Sequence, residues 1–107
     1  MEKISLNKDE ALALIVDDAT TVIDVRTAAE VLEVPAITEE AILLPFDESF
    51  LSIIKEEEVE KEQTLLIYST TGTTSLKATE LLRTNGYKAF NLEGGLEAIF
   101  GDDCWGI

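Results

Sequence analysis

The sequence has no histidine and a single cysteine, Cys104. A lone cysteine cannot form an internal disulfide, and zinc sites are built from clusters of cysteine and histidine that this chain cannot supply. We therefore expect no metal site and no cofactor.

Basic residues are also scarce: 8 lysines and arginines stand against 22 aspartates and glutamates, which gives a formal net charge of −14. Binding to nucleic acid or to an anionic membrane surface relies on clustered basic side chains, so we exclude both as partners. Solubility is the simplest explanation of the acidic charge, and a basic protein partner is the alternative.

No apolar run approaches the roughly 20 residues that cross a membrane, since the longest are AILLPF (41–46) and TLLIY (64–68). The N-terminal segment MEKISLNKDE lacks the apolar stretch of a secretion signal. We expect a cytoplasmic protein without a membrane span. Its 107 residues suit a single domain, residues 1–107.

Short apolar runs predict four buried strands, at residues 21–25, 41–44, 64–68 and 88–92. Three other segments carry apolar residues at the i, i+3, i+4 spacing of a helix. These sets are Leu12, Ile15 and Val16; Phe50, Ile53 and Ile54; and Ala78, Leu81 and Leu82. Apolar strands that alternate with helices indicate an α/β fold, with a parallel sheet covered by helices on both faces.

Local signals mark where some of these helices begin and end. Asn7 with Glu10, and Thr27 with Glu30, have the spacing of a capping box at a helix start. The pair Asn85-Gly86 predicts a left-handed stop after the third helical set.

Three segments rich in polar residues or glycine follow the predicted strands: DVRTAAE (24–30), STTGTTS (69–75) and EGGLEA (93–98). In a parallel α/β sheet, ligands bind beyond the carboxyl ends of the strands. We therefore expect a site at this edge, with Gly94 and Gly95 forming a turn that needs positive φ.

The same three segments, in the order VIDVR (22–26), LLIYSTTGTTS (65–75) and NGYKAFNLEGGLEAI (85–99), resemble a rhodanese-like domain. The resemblance covers nearly the whole chain, from Ile4 to about Phe100. It implies a five-stranded parallel sheet flanked by helices on both faces, with the loop after the fourth strand as the active site.

In active members of that family, the loop reads C-x-x-G-x-R-S, and its cysteine carries a persulfide whose outer sulfur passes to an acceptor. Here Gly72 and Ser75 match, whereas Ser69 stands at the cysteine position and Thr74 at the basic position. Serine cannot form a persulfide, and its hydroxyl attacks an electrophile only beside a base, which the loop lacks. The resemblance implies that any ligand is bound by Ser69, Thr70, Thr71, Gly72, Thr73, Thr74 and Ser75.

A second family stretch, G-H-I-P-G-A before the third strand, corresponds to AITEEA at 36–41, where only Ala41 matches. A laboratory Cys-to-Ser change is one explanation of the serine at position 69. Because a single engineered change would leave the basic position and this second stretch intact, we favour natural degeneration.

Three other residues near the expected site are interpreted as supporting the fold and not as binding a ligand. We expect Asp24 to accept backbone N–H bonds from neighbouring loops, Arg26 to pair with an acid such as Glu30, and Tyr68 to be the last core-facing residue of its strand. Cys104 is the alternative sulfur carrier, but the adjacent aspartates of GDDCW disfavour a thiolate.

Two hypotheses follow from the sequence. The first is a catalytically inactive rhodanese-like domain that serves as a binding or regulatory module for a protein partner, for a second copy of itself, or for a small anion at residues 69–75. The alternative is a rhodanese-type sulfurtransferase with an unusual active site, or one that uses Cys104.

Overall fold

A computed structural model describes residues 4–57 and 59–100. The strands and helices alternate along the chain, as the apolar runs predict. In chain order the elements are β1 (Ser5–Leu6), α1 (Lys8–Ile15), β2 (Thr20–Asp24), α2 (Ala28–Glu33), β3 (Ile42–Leu43), α3 (Phe50–Glu56), β4 (Thr64–Tyr68), α4 (Thr73–Thr84), β5 (Lys88–Leu92) and α5 (Gly95–Phe100).

The five strands form one sheet in the order β1-β5-β4-β2-β3, and every neighbouring pair is parallel. This confirms the predicted sheet. β1 is only two residues long, so no apolar run revealed it. β3 is shorter than the predicted 41–44, because the Ala41 N–H closes a turn on the Thr38 carbonyl. The prediction that this strand is buried is wrong: both of its residues are exposed, because β3 is an edge strand of the sheet.

The central strand β4 shows why helices cover both faces of the sheet. Successive side chains of a strand point to opposite faces. Leu65 and Ile67 therefore pack in one buried cluster with residues of α3 and α4. Leu66 and Tyr68 pack in the other, which includes residues of α1 and α5. No helix in the described ranges is both long enough and apolar enough to cross a bilayer.

The helical sets of α3 and α4 are confirmed, since Phe50, Ile54, Ala78 and Leu82 are buried. The set predicted for α1 is wrong. Leu12 and Val16 are exposed, and the buried position is Ala11, with Leu14 and Ile15 packed beside it. The helix ends at Ile15, so Val16 lies outside its last turn, and the small Ala11 side chain faces the sheet.

The capping signals are confirmed. The Glu10 N–H donates to Asn7 Oδ1 at 2.9 Å and the Asn7 N–H donates to Glu10 Oε1 at 3.1 Å. Thr27 and Glu30 form the same reciprocal pair at the start of α2. Gly86, with φ of 89°, follows the end of α4 as the left-handed stop.

Replacing Leu82 by alanine is expected to lower the free energy of unfolding by about 2–5 kcal/mol, because truncation of a fully buried leucine leaves a cavity. Leu32→Ala is the matched control: Leu32 is also helical but is 86% exposed, so its truncation is expected to change stability by less than about 0.5 kcal/mol. Urea denaturation followed by circular dichroism measures both values. Equal losses in the two variants would contradict the described core.

Candidate functional site

A pocket of about 460 Å³ opens at the carboxyl edge of the sheet, beside the segment that joins β4 to α4. That segment, residues 69–72, together with the first three residues of α4, 73–75, is called the loop below. The pocket brings loop residues together with residues that follow β2 and β3. Its lining consists of Val25, Arg26, Thr27, Glu30, Pro45, Phe46, Ser69, Thr70, Thr71 and Thr74.

The predicted site residues take different positions around this pocket. Ser69, Thr70, Thr71, Thr74 and Arg26 line it. Gly72, Ser75 and Asp24 are buried behind it, and Thr73 is exposed outside its lining. Cys104 lies outside the described residues. Within residues 4–57 and 59–100, no three acidic, cysteine or histidine side chains come together as metal ligands.

The loop owes its path to close contact with the Gly94-Gly95 turn. The Ser69 carbonyl accepts the Leu96 N–H at 3.0 Å, and the Thr70 carbonyl accepts the Glu97 N–H at 3.1 Å. A Cβ atom at Gly95 would lie 2.3 Å from the Ser69 carbonyl oxygen. Gly94 and Gly95 have φ of 78° and 60°, which confirms the predicted positive-φ turn.

The Ser69 hydroxyl is enclosed by the loop and is only 5% exposed. Its oxygen accepts N–H bonds from Gly72 at 3.1 Å and from Ser75 at 3.3 Å. Its proton is donated to Ser75 Oγ at 3.0 Å. A hydroxyl has one proton to donate and two lone pairs. The hydrogen-bonding capacity of Ser69 is therefore used within the loop.

This hydrogen-bond chain continues across the sheet. Ser75 Oγ donates to Asn91 Oδ1 at 2.5 Å, and Asn91 Nδ2 donates to Ser5 Oγ at 3.2 Å. The sequence analysis missed the role of Asn91. The available signal was an asparagine among the apolar residues of AFNL (89–92), because a buried amide requires partners.

Several backbone N–H groups of the loop remain open. Those of Thr70, Thr71, Thr73 and Thr74 have no hydrogen-bond acceptor among the residues that the structure describes. Three of these residues line the pocket, at the N-terminal end of the 12-residue helix α4. Free N–H groups and the positive end of a helix dipole both favour a negatively charged or polar ligand.

The positive side chain of the pocket is already paired. Arg26 Nη2 donates to Asp24 Oδ2 at 2.7 Å, and Arg26 Nε donates to Asp24 Oδ1 at 3.0 Å. Burial by itself lowers the pKa of Arg26, but the hydrogen bonds and charge of Asp24 outweigh that effect and raise it. Arg26 therefore stays charged and is neutralised by its neighbour.

Arg26 pairs with an acid, as predicted, but that acid is Asp24 and not the suggested Glu30. Arg26 reaches Glu30 only at its carbonyl oxygen, at 3.5 Å. The Glu30 carboxylate instead accepts bonds from the N–H and hydroxyl of Thr27 and, at 3.3 Å, from the Thr70 hydroxyl. Glu30 thus contributes a carboxylate to the pocket lining, without a basic partner among the described residues.

Asp24 also differs from its predicted role. Its backbone donor is the N–H of Arg26, in the same segment, at 2.9 Å. The further donor is the Tyr68 hydroxyl, which bonds Asp24 Oδ2 at 2.7 Å. No local pattern indicated this bond, because the two residues are 44 positions apart in the chain.

Tyr68 is buried, as predicted, and its hydroxyl connects two segments. It donates to Asp24 and accepts the Ile37 N–H at 3.0 Å. Burial raises the pKa of Tyr68 well above its ordinary value of about 10, and the hydrogen bond to Asp24 raises it further. The phenol is therefore a neutral structural group across the physiological pH range.

Comparison with known proteins shows what this arrangement is similar to. A family model described as the rhodanese-like domain matches residues 7–102. A rhodanese-like domain protein from Staphylococcus aureus is 28% identical, with a TM-score of 0.70, over 91% of this chain and 90% of that one. Among curated proteins, no match to the chain is found.

Two further solved structures show the same likeness. A protein from Staphylococcus saprophyticus is 28% identical with a TM-score of 0.74, and the match covers 96% of both chains. A rhodanese homologue from Thermus thermophilus is 30% identical with a TM-score of 0.65, over 88% of this chain and 98% of that one.

Replacing Tyr68 by phenylalanine is expected to lower the free energy of unfolding at pH 7 by about 1–3 kcal/mol, because the Ile37 N–H and the Asp24 carboxylate each lose a buried partner. The variant is also expected to change the alkaline pH dependence. Since the pKa of Tyr68 is raised on folding, the unfolded chain releases this proton first. The contribution of the Tyr68 phenol to the free energy of unfolding is therefore complete below about pH 10. Above that pH, it falls by about 1.4 kcal/mol per pH unit.

Urea denaturation between pH 8 and pH 11.5 measures this difference. The wild-type profile should fall more steeply than that of Tyr68→Phe above pH 10. Parallel profiles would show that the phenol is not held in its protonated form by the fold.

Proposed function

The chain belongs to the rhodanese-like domain family, and on that premise we propose that it is a binding module without sulfur-transfer activity. The observation that carries the proposal is the state of Ser69. On the motif correspondence, Ser69 stands where active members have the persulfide cysteine, and its hydroxyl makes three hydrogen bonds inside the loop.

The path of the Ser69 proton argues against serine as a nucleophile. A serine hydroxyl attacks only when a base takes its proton. The Ser69 proton goes to the Ser75 hydroxyl, whose own proton goes to the Asn91 amide oxygen. Neither a hydroxyl nor an amide accepts a proton at neutral pH. Ser69 is therefore a structural centre of the loop.

The charges of the pocket argue against tight binding of an anionic sulfur donor. Arg26 is neutralised by Asp24, and Thr74 is uncharged where the family motif has a basic residue. Glu30 adds a negative charge to the lining. The open N–H groups of the loop still favour an anion, so the two effects oppose each other. We infer that the loop binds small anions such as sulfate weakly.

A domain of this family that transfers no sulfur can still act by binding another molecule. A fold that keeps the shape of the family's loop but lacks its thiol is suited to bind a protein partner, a second copy of the chain or a small polar molecule, and thereby to regulate another protein. Cys104 supplies the test of the rival hypothesis, because it is the only native thiol.

The purified protein is expected to transfer no sulfur from thiosulfate or mercaptopyruvate above the protein-free blank. Its intact mass should show no gain of one sulfur atom, about 32 Da, after incubation with donor. Cys104→Ala is the control. Turnover that disappears in Cys104→Ala would establish a sulfurtransferase that uses this thiol, and turnover that survives it would implicate Ser69 or a contaminating enzyme.

A thiol at position 69, without a basic residue at position 74, is expected to restore little sulfur-transfer activity. Ser69→Cys should remain at least about tenfold below Ser69→Cys/Thr74→Arg, because a charge-assisted bond to the anionic donor is worth roughly 1.5–3 kcal/mol. Steady-state assays with thiosulfate measure both variants. Equal rates would show that the missing cation is unimportant.

Removing the Glu30 charge is expected to tighten sulfate binding roughly threefold to tenfold, as the loss of a repulsive charge a few ångströms away implies. Glu30→Gln is suitable because glutamine also forms a capping box. Glu33→Gln is the matched control, since Glu33 is exposed on the same helix and lies outside the pocket lining. Titration followed by NMR gives the dissociation constants. An equal change in both variants would assign the effect to net charge alone.

A further inference from the structure

A second cavity, of about 510 Å³, lies at the opposite side of the described fold from β1, between β3 and α3. It is called the edge groove below. Its lining is apolar except for one threonine and one glutamate. The residues are Thr21, Ile23, Ile42, Leu43, Leu44, Ile53, Ile54, Glu57 and Val59.

Two large apolar side chains of the edge groove are open to solvent. Ile42 is 50% exposed and Leu43 is 42% exposed, although the adjacent Leu44 is buried. Both belong to β3, the last strand of the sheet. Because β3 pairs in register with β2, Ile42 lies on the same face as Ile23, toward α3, whereas Leu43 lies with Asp24 on the other face. Exposed apolar surface beside a cavity, as at Ile42, is typical of a protein interaction site.

The edge of β3 is poorly suited to pair with another strand. The N–H groups of Leu44 and Phe46 point inward, to the carbonyls of Asp24 and Val25. The intervening residue, Pro45, faces outward in this alternation and has no N–H to donate. A proline and a two-residue length both protect an edge strand from strand addition. A partner therefore meets this edge through side chains that enter the groove.

The charge of the groove distinguishes between possible occupants. Glu57 is the only charged residue in its lining. The nearby Lys61 lies elsewhere, with its Nζ 5.7 Å from the centre of the Tyr87 ring. A second copy of the chain also carries a net charge of −14, and two molecules of like net charge repel each other. A segment with basic residues beside its apolar residues complements both the apolar lining of the groove and the negative charge of Glu57.

We propose that the edge groove is a docking surface for a segment of another protein in which apolar side chains are flanked by lysine or arginine. The apolar side chains of that segment cover Ile42 on the α3 face, and a basic side chain pairs with Glu57. This proposal goes beyond the function of the loop, because the edge groove and the loop pocket share no lining residue. Either proposal can fail without the other.

The probe is a capped synthetic peptide, Lys-Lys-Leu-Ile-Val-Leu-Lys-Lys, titrated into the ¹⁵N-labelled full chain and followed by NMR. The expected result is saturable shifts of the amides of Ile42, Leu44, Ile53 and Glu57. Loop amides should remain unchanged. Affinity should fall several-fold between 50 and 500 mM NaCl, because salt screens the charge pairing.

Paired variants separate the apolar from the ionic contribution. Ile42→Thr keeps a β-branched residue in the strand and is expected to weaken binding at least fivefold, whereas Leu32→Thr, at an exposed site on α2, should leave it unchanged. Glu57→Gln is expected to weaken binding threefold or more and to reduce the salt dependence. Its control, Glu56→Gln, lies on α3 outside the groove lining. The ¹⁵N spectrum of each variant verifies its fold.

Other outcomes would overturn the proposal. If Glu-Glu-Leu-Ile-Val-Leu-Glu-Glu binds equally well, the binding of the probe depends on nonspecific apolar contact alone. If Lys-Lys-Ser-Thr-Ser-Gly-Lys-Lys binds equally well, it depends on charge attraction alone. Dimerisation that strengthens with salt and disappears in Ile42→Thr would make a second copy the occupant. Tighter peptide binding by Trp105→Ser would make the occupant the chain's own C-terminal segment.

Discussion

The carboxylate of Asp24 joins three segments of the chain inside the protein. It binds the guanidinium of Arg26, the backbone of the same residue and the hydroxyl of Tyr68. Through these partners the ends of β2 and β4 are connected to the segment before β3, since Arg26 Nη1 also donates to the Val34 carbonyl and Tyr68 accepts the Ile37 N–H. Removing one member of a buried ion pair typically costs about 3–5 kcal/mol, because the other charge is left without compensation. The three segments therefore hold their positions together.

This pairing also determines the electrostatics of the pocket. Arg26 is the basic residue of its lining, and its charge is directed to Asp24. The loop's shape has a separate origin, in Gly72 and in the close contact with Gly94 and Gly95. Shape and charge are therefore independent in this fold. A loop can keep its backbone path while the side chains at Ser69 and Thr74 carry no reactive or cationic group.

Much of the fold could be predicted because the signals are local. Apolar runs identified four strands, capping boxes identified two helix starts, and the pairs Asn85-Gly86 and Gly94-Gly95 identified turns with positive φ. The face of α1 could not be predicted, since residues 11–15 of the helix are all apolar and the 3.6-residue period selects no unique stripe. The face that packs on the sheet carries Ala11, Leu14 and Ile15, an i, i+3, i+4 set that the sequence offers equally with the set at Leu12, Ile15 and Val16.

The site was predictable in position and much less so in its contacts. Strand ends of a parallel sheet meet at one edge, so three motifs indicated the pocket. Glu30 was mistaken as the acidic partner of Arg26, because the Arg26 side chain turns back on Asp24 at the end of β2. The bonds of Asn91 and of the Tyr68 hydroxyl join residues far apart in sequence, and the edge groove depends on strand order. Local sequence can show that Asn91 needs partners, but it identifies neither those partners nor the groove.

The contact between the loop and α5 has a consequence for how the molecule opens. Two loop carbonyls accept N–H groups from the first turn of a six-residue helix. Any fluctuation that lifts α5 from the sheet frees both carbonyls and removes the surface on which Ser69 and Thr70 rest. We therefore expect the loop and α5 to open as one cooperative unit, with amides that exchange with solvent together. We also expect the loop to acquire its final path during folding only once β5 has formed and the chain has turned at Gly95.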